Sequence, residues 1–158
     1  MRIAVGSDHR GLRKRAALVE LLDRLGQEVV DVGANGEEEV DYPDIAADVA
    51  RRVRSGEVDR GILVCGTGVG VCITANKIPG IRAALCHDTV TTELSRRHND
   101  SNVLCLSSDT IAERLVDRLV EIWLNTPFDG GRHARRNEKI ARFERCGGKN
   151  GPTEPNSP

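Results

Sequence analysis

Gly61-Ile-Leu-Val-Cys-Gly-Thr-Gly-Val-Gly70 decides the fold. Ile62, Leu63 and Val64 read as a short buried strand, and Cys65 stands where that strand stops. Gly66, Gly68 and Gly70 carry no Cβ, so the backbone can curl tightly there and approach a ligand. The segment after them, Val71 to Lys77, reads as the opening of a helix. A thiol at such a joint faces backbone N–H groups and the positive end of a helix dipole, which favours thiolate over thiol. The same amides suit an oxyanion. The stretch is therefore a candidate seat for a nucleophile or a base.

Outward from this joint, strands and helices alternate. Residues 2–7 read as a strand, and Leu12, Ala16, Val19, Leu22 and Leu25 fall at helical spacing before the stop at Gly26. A second strand covers 28–32, followed by a polar turn at 33–37. Pro43 suits the first turn of a helix running to about Arg54, which leads to the third strand, 60–64. Beyond the glycine turn come a strand at 82–86, a helix capped by Asp88 and ending near His98, a strand at 103–106 and a periodic helix over 109–124. A last helix spans 133–145, and the polar segment 146–158 is expected to be a disordered tail on a single domain, 1–145. The alternation predicts an α/β three-layer sandwich: a five-stranded parallel sheet, order 2-1-3-4-5, covered on both faces. In that order the switch point lies between strands one and three, so Asp8-His9 and Cys65-Gly66-Thr67 share one crevice.

Composition narrows the function. The chain has 158 residues with 23 basic and 24 acidic side chains interspersed, which gives no charge-driven nucleic-acid or membrane partner. Its five cysteines are an odd set without a C-x-x-C pair, and Cys86 and Cys105 lie inside apolar runs. This predicts a reducing compartment, no disulfide framework and no zinc site. With a strand at the very start and no apolar run of membrane length, the expected location is cytoplasmic.

Seven motifs then occur in order: Gly6-Ser-Asp8-His9-x-Gly11, Asp41-Tyr-Pro43, Cys65-Gly-Thr-Gly-Val-Gly70, Ala75-Asn-Lys77, Ser95-Arg-Arg-His98-Asn99-Asp100, Asn102-Val-Leu104 and Gly130-Gly-Arg-His133. Together they resemble type B ribose-5-phosphate isomerase, in the family shared with the galactose-6-phosphate isomerase subunits. The resemblance runs from residue 2 to about 143. It implies a flavodoxin-like (Rossmann-like) sheet and a homodimer, sometimes paired into tetramers, with the active site at the dimer interface. It also implies aldose–ketose isomerisation of a phosphorylated pentose through a cis-enediolate, without metal or cofactor. Allose 6-phosphate and galactose 6-phosphate are the alternative substrates.

On this resemblance Cys65 is the base, Thr67 shuttles a proton between the enediolate oxygens, and the backbone of Gly66, Thr67, Gly68, Val69 and Gly70 holds them. His98 is the ring-opening acid with Asp8 as its partner; Tyr42 and Asn99 touch the sugar; His9, Arg132 and Arg136 bind phosphate. The plain local readings stand beside these: Cys65 as a packed strand-end thiol, Asp8 as a helix N-cap, His98 as a C-terminal cap, and the arginine-rich helix as a solvated face. Cys72 is expected to face the core. One position departs from the pattern: where many members carry a phosphate-gripping arginine, this chain has Asp109, within a Ser108-Asp109-Thr110 run that reads as a helix N-cap. Two rival classes are a dinucleotide binder, with Asp88 twenty residues past Gly68, and a cysteine phosphatase. The first has the wrong glycine spacing, and the second needs an arginine where Val71 stands. A third rival is a non-enzymatic flavodoxin-like regulatory module.

Overall fold

The computed structural model describes residues 1–33 and 40–145; most of the expected turn at 33–37 and the whole tail 146–158 lie outside the described residues. Five strands, β1 (Arg2–Ser7), β2 (Glu28–Asp31), β3 (Arg60–Cys65), β4 (Ala83–Leu85) and β5 (Val103–Ser107), form one parallel sheet. Among the described residues six α-helices accompany them: α1 (Leu12–Arg24), α2 (Tyr42–Ser55), α3 (Val69–Ala75), α4 (Thr89–Arg97), α5 (Glu113–Asn125) and α6 (Arg132–Arg145).

Strand alternation splits the interior into two cores. Ile3, Val5, Ile62, Val64, Leu104 and Leu106 pack with Leu18 and Leu22 of α1 and Leu119 and Trp123 of α5. Ala4, Leu63, Cys65, Val103 and Cys105 pack on the other side with Val49 of α2 and Val71 and Ala75 of α3. Each fully buried large side chain contributes roughly 1.5–3 kcal/mol relative to exposure.

The sheet order is β2-β1-β3-β5-β4 rather than the expected 2-1-3-4-5. Burial accounts for the difference. All five residues of β5 are buried, whereas β4 has only three, each half-buried. A strand that is apolar throughout belongs in the interior of a parallel sheet, and a short one closes its edge. The correction matters for the site, because Cys65 now pairs in register with Ser107 and the turn after β5 borders the glycine turn.

Two helices also differ from expectation. The buried residues of α1 are Lys14, Arg15, Leu18, Leu21 and Leu22, and Ala16 is exposed. The face is turned because the Lys14 ammonium reaches the carbonyls of Ser107, Ser108 and Ile111 at 3.1, 3.1 and 2.5 Å. Burial lowers the Lys14 pKa, with Glu113 and Asp109 opposing. Helix α5 begins only at Glu113, and Ser108-Asp109-Thr110 does not cap it. Instead the Ser107 hydroxyl accepts from the Thr110 amide at 3.0 Å, and Asp109 pairs with Arg10.

Candidate active site

The carboxyl ends of β1 and β3 lie side by side, with Ser7 opposite Val64. Asp8 is buried, and its Oδ1 accepts the amides of Arg10 and Gly11 at 3.0 and 3.1 Å, capping a single 3-10 turn, His9–Gly11. His9 is half-buried, and its Nδ1 is buried without a hydrogen-bond partner. Across from them Cys65 is buried, and the Gly68 amide donates to its Sγ at 3.2 Å. That contact depends on Gly68, whose φ of 77° suits glycine; a Cβ there would lie 3.0 Å from the Leu106 backbone. Thr67 and Val69 are exposed, and the Thr67 hydroxyl accepts from the Val69 amide at 3.3 Å. Tyr42, the first residue of α2, lays its ring against Gly70, where a Cβ would meet Cε2 at 2.5 Å. Asp8, His9, Tyr42, Cys65 and the 66–70 turn therefore form one crevice.

His98, Asn99, Arg132 and Arg136 assemble elsewhere. Helix α4 starts at the carboxyl end of the sheet and ends at the amino end, where Arg82 holds the carbonyls of Asn99 and Asp100 at 2.8 and 3.0 Å. Asp100 takes a positive φ of 48°, and Arg82 and Arg96 both pair with its carboxylate at 2.8 Å. Arg96 also donates to the Ser101 carbonyl at 2.6 Å, and the Trp123 indole donates to the Ser101 hydroxyl at 2.8 Å. On this pinned turn His98 stacks on His133, ring centroids 4.0 Å apart and planes 6° apart. Burial, with His98, Arg132 and Arg136 nearby, lowers the His133 pKa; Asp129 opposes. The six-residue β3 separates the two ends of the sheet by about 20 Å at roughly 3.3 Å per residue. Among the described residues no hydrogen bond or ion pair joins the Cys65 crevice to the His98 ledge.

His98, Asp129 and His133 bring ligand atoms within 4.8 Å of one another and are the described group able to hold a metal ion. Asp129 is already engaged by Arg97 at 3.2 Å, and the adjacent arginines repel a dication while attracting an anion. Cys72 faces the core as expected: it is half-buried and packs against the cluster that holds Val71 and Cys105. Hydrogen bonding from Cys105 outweighs burial there and brings its pKa to about 7, whereas burial drives Cys105 well above the ordinary thiol value. Asp88 caps α4 through the Thr91 amide at 2.8 Å, which commits the carboxylate that a dinucleotide site needed. Val71 is fully buried, and so offers nothing to a phosphatase loop. Sequence reasoning missed Arg10 and Lys14. Adjacency to Asp8-His9 was the available signal for Arg10; Lys14 had none.

A family profile described as Ribose/Galactose Isomerase matches residues 3–140. The chain belongs to this family. It is 46% identical over 143 residues to ribose-5-phosphate isomerase B of Escherichia coli, covering 90% of this chain and 96% of that one. The structure of ribose-5-phosphate isomerase B from Clostridium thermocellum superposes with a TM-score of 0.91 at 46% identity, covering 92% of this chain and 99% of the other. That of ribose-5-phosphate isomerase B from Mycoplasma genitalium, with bound ribulose 5-phosphate, gives a TM-score of 0.87 at 44% identity over 91% and 96% of the two chains. The chain is a sugar-phosphate isomerase of the ribose/galactose isomerase family. No helix among the described residues is long and apolar enough to cross a membrane.

Proposed function

We propose that this isomerase interconverts ribose 5-phosphate and ribulose 5-phosphate, with Cys65 as the base. The observation that carries the reading is the Cys65 sulfur at the end of β3, receiving the Gly68 amide beside Asp8 and His9. The Cys65 thiolate takes the C2 proton, the C–H electrons form the C1–C2 double bond, and the carbonyl oxygen becomes an enediolate oxygen. Backbone N–H groups of residues 66–70 hold that charge. Thr67 moves a proton between the two oxygens, and the Cys65 thiol returns its proton to C1. Asp8 and His98 open the ring, Tyr42 and Asn99 contact the sugar, and His9, Arg132 and Arg136 bind phosphate.

Two copies supply one site in this reading. The 20 Å scale of the sheet between Cys65 and His98 supports a homodimer in which one protomer's crevice meets its partner's ledge. Helix α6 supports it too, since it buries only His133 and leaves Ile140 and Phe143 exposed. Turnover of ribose 5-phosphate, allose 6-phosphate and galactose 6-phosphate by the purified protein tests the substrate. Preference for ribose 5-phosphate is the expected result, and a hexose phosphate turned over faster overturns it. Cys65→Ala is expected to cut kcat by about 10²–10⁴-fold and to abolish proton exchange at C2 with binding retained.

A further inference from the structure

We infer that Arg10, held in place by Asp109, is a further phosphate-binding residue at the Cys65 end of the site. This rests on the sugar-phosphate reading above and adds a residue to it. Arg10 lies against the glycine turn: a Cβ on Gly66 would sit 3.2 Å from its Nε and 3.3 Å from its Cζ. The Arg10 side chain is 60% exposed, yet its guanidinium is held. Its Nη2 donates to Asp109 Oδ2; the Asp109 amide donates to the Gly66 carbonyl at 3.1 Å; and the Ser108 hydroxyl holds Asp109 Oδ1 at 2.8 Å. Lys14 fastens the same turn from beneath through three carbonyls.

Such anchoring adds little to folding, because an exposed ion pair is screened by water and costs side-chain freedom. It does orient an always-charged planar donor. Among the described residues, the Arg10 side chain donates through Nη2 alone and to one acceptor, so one two-donor edge of the guanidinium, the second Nη2 proton with either Nε–H or Nη1–H, stays open to a dianion whose oxygens match that geometry. The buried, unpartnered Nδ1 of neighbouring His9 lies beside it in sequence. Arg10 also lines a polar recess of about 210 Å³ with Arg13 and Lys14, where cations outnumber the carboxylates of Asp109 and Glu113.

The test measures KM for ribose 5-phosphate and the competitive inhibition constant of inorganic phosphate on a set of variants. Arg10→Ala is expected to raise both about ten- to a hundredfold, the range for a hydrogen bond to a charged group, with kcat changed far less. Arg10→Lys restores part of the loss. The double variant Arg10→Ala, Asp109→Arg is the discriminating one. Asp109 Oδ2 also lies 3.3 Å from the same Gly66 position, so the side chain at 109 is aimed at the same rim and a longer arginine there can offer a cation to the same anion. Recovery of KM in that variant supports the assignment, since no ion pair exists there to be restored. Unchanged KM in Arg10→Ala, or no recovery in the double variant, overturns it. If the parent fails to turn over ribose 5-phosphate while phosphate binding still depends on Arg10, the anion seat stands and the substrate reading falls.

Discussion

The Cys65 crevice and the His98 ledge lie at opposite ends of one sheet and are built by different means. In the crevice the main chain does the positioning: the Gly68 amide meets the Cys65 sulfur, and Asp8 gathers two amides. On the ledge side chains do it, through Arg82, Arg96, Ser101 and Trp123 around one left-handed residue, Asp100. The contrast teaches that a backbone-built site tolerates no added atoms, whereas a network-built one tolerates shape changes but not the loss of a donor.

The largest effect is expected from mixing Cys65→Ala protein with His98→Asn protein under subunit exchange. If one protomer's crevice meets its partner's ledge, half of the dimers are mixed and each holds one intact site of two. Activity then returns from near zero to about a quarter of the parent value. No recovery despite verified exchange would show that each protomer carries both groups itself. Next in size, Gly68→Ala is expected to lose about 3 kcal/mol, from a positive φ and a contact with the Leu106 backbone, read from urea unfolding at fixed protein concentration. An unshifted midpoint would remove the claim that the glycine turn is sterically closed. Ser101→Ala strands the Trp123 indole N–H and is expected to cost about 2 kcal/mol by the same measurement.

The smallest effect is one of pH. His133 has a lowered pKa in the folded protein, so between that value and the ordinary imidazole value of about 6.5 the unfolded chain binds more protons. Its stabilisation is complete above about pH 6.5 and is lost as pH falls through the lower, folded value. The groups facing it are His98, Arg132 and Arg136, which strengthen the shift, and Asp129, which opposes it. His133→Asn should flatten the stability profile in that window; an equally steep profile would assign the slope to another group.

Much of the fold was legible because it is written locally. The glycine turn, the Asp88 cap, Pro43 in the first turn of α2 and the five strands each depend on neighbours a few residues away. The order of β4 and β5 was not legible, since it depends on which strand can be covered on all sides. The α1 face was misread because Lys14 counts as polar in any spacing rule, yet it is buried where carbonyls converge. The Arg10–Asp109 pair joins positions 99 apart, and the His98–His133 stack joins two helices with no shared pattern. The crevice was therefore half visible in the sequence. The ledge showed its residues but not the network that sets them.

The Lys14 clamp has one more consequence. Among the described residues it grips carbonyls and no side chain, so it is blind to which residues occupy the turn after β5. Residues 108 to 110 can change identity on an unchanged mounting. The lip of the pocket can thus drift toward other anions without the scaffold being rebuilt.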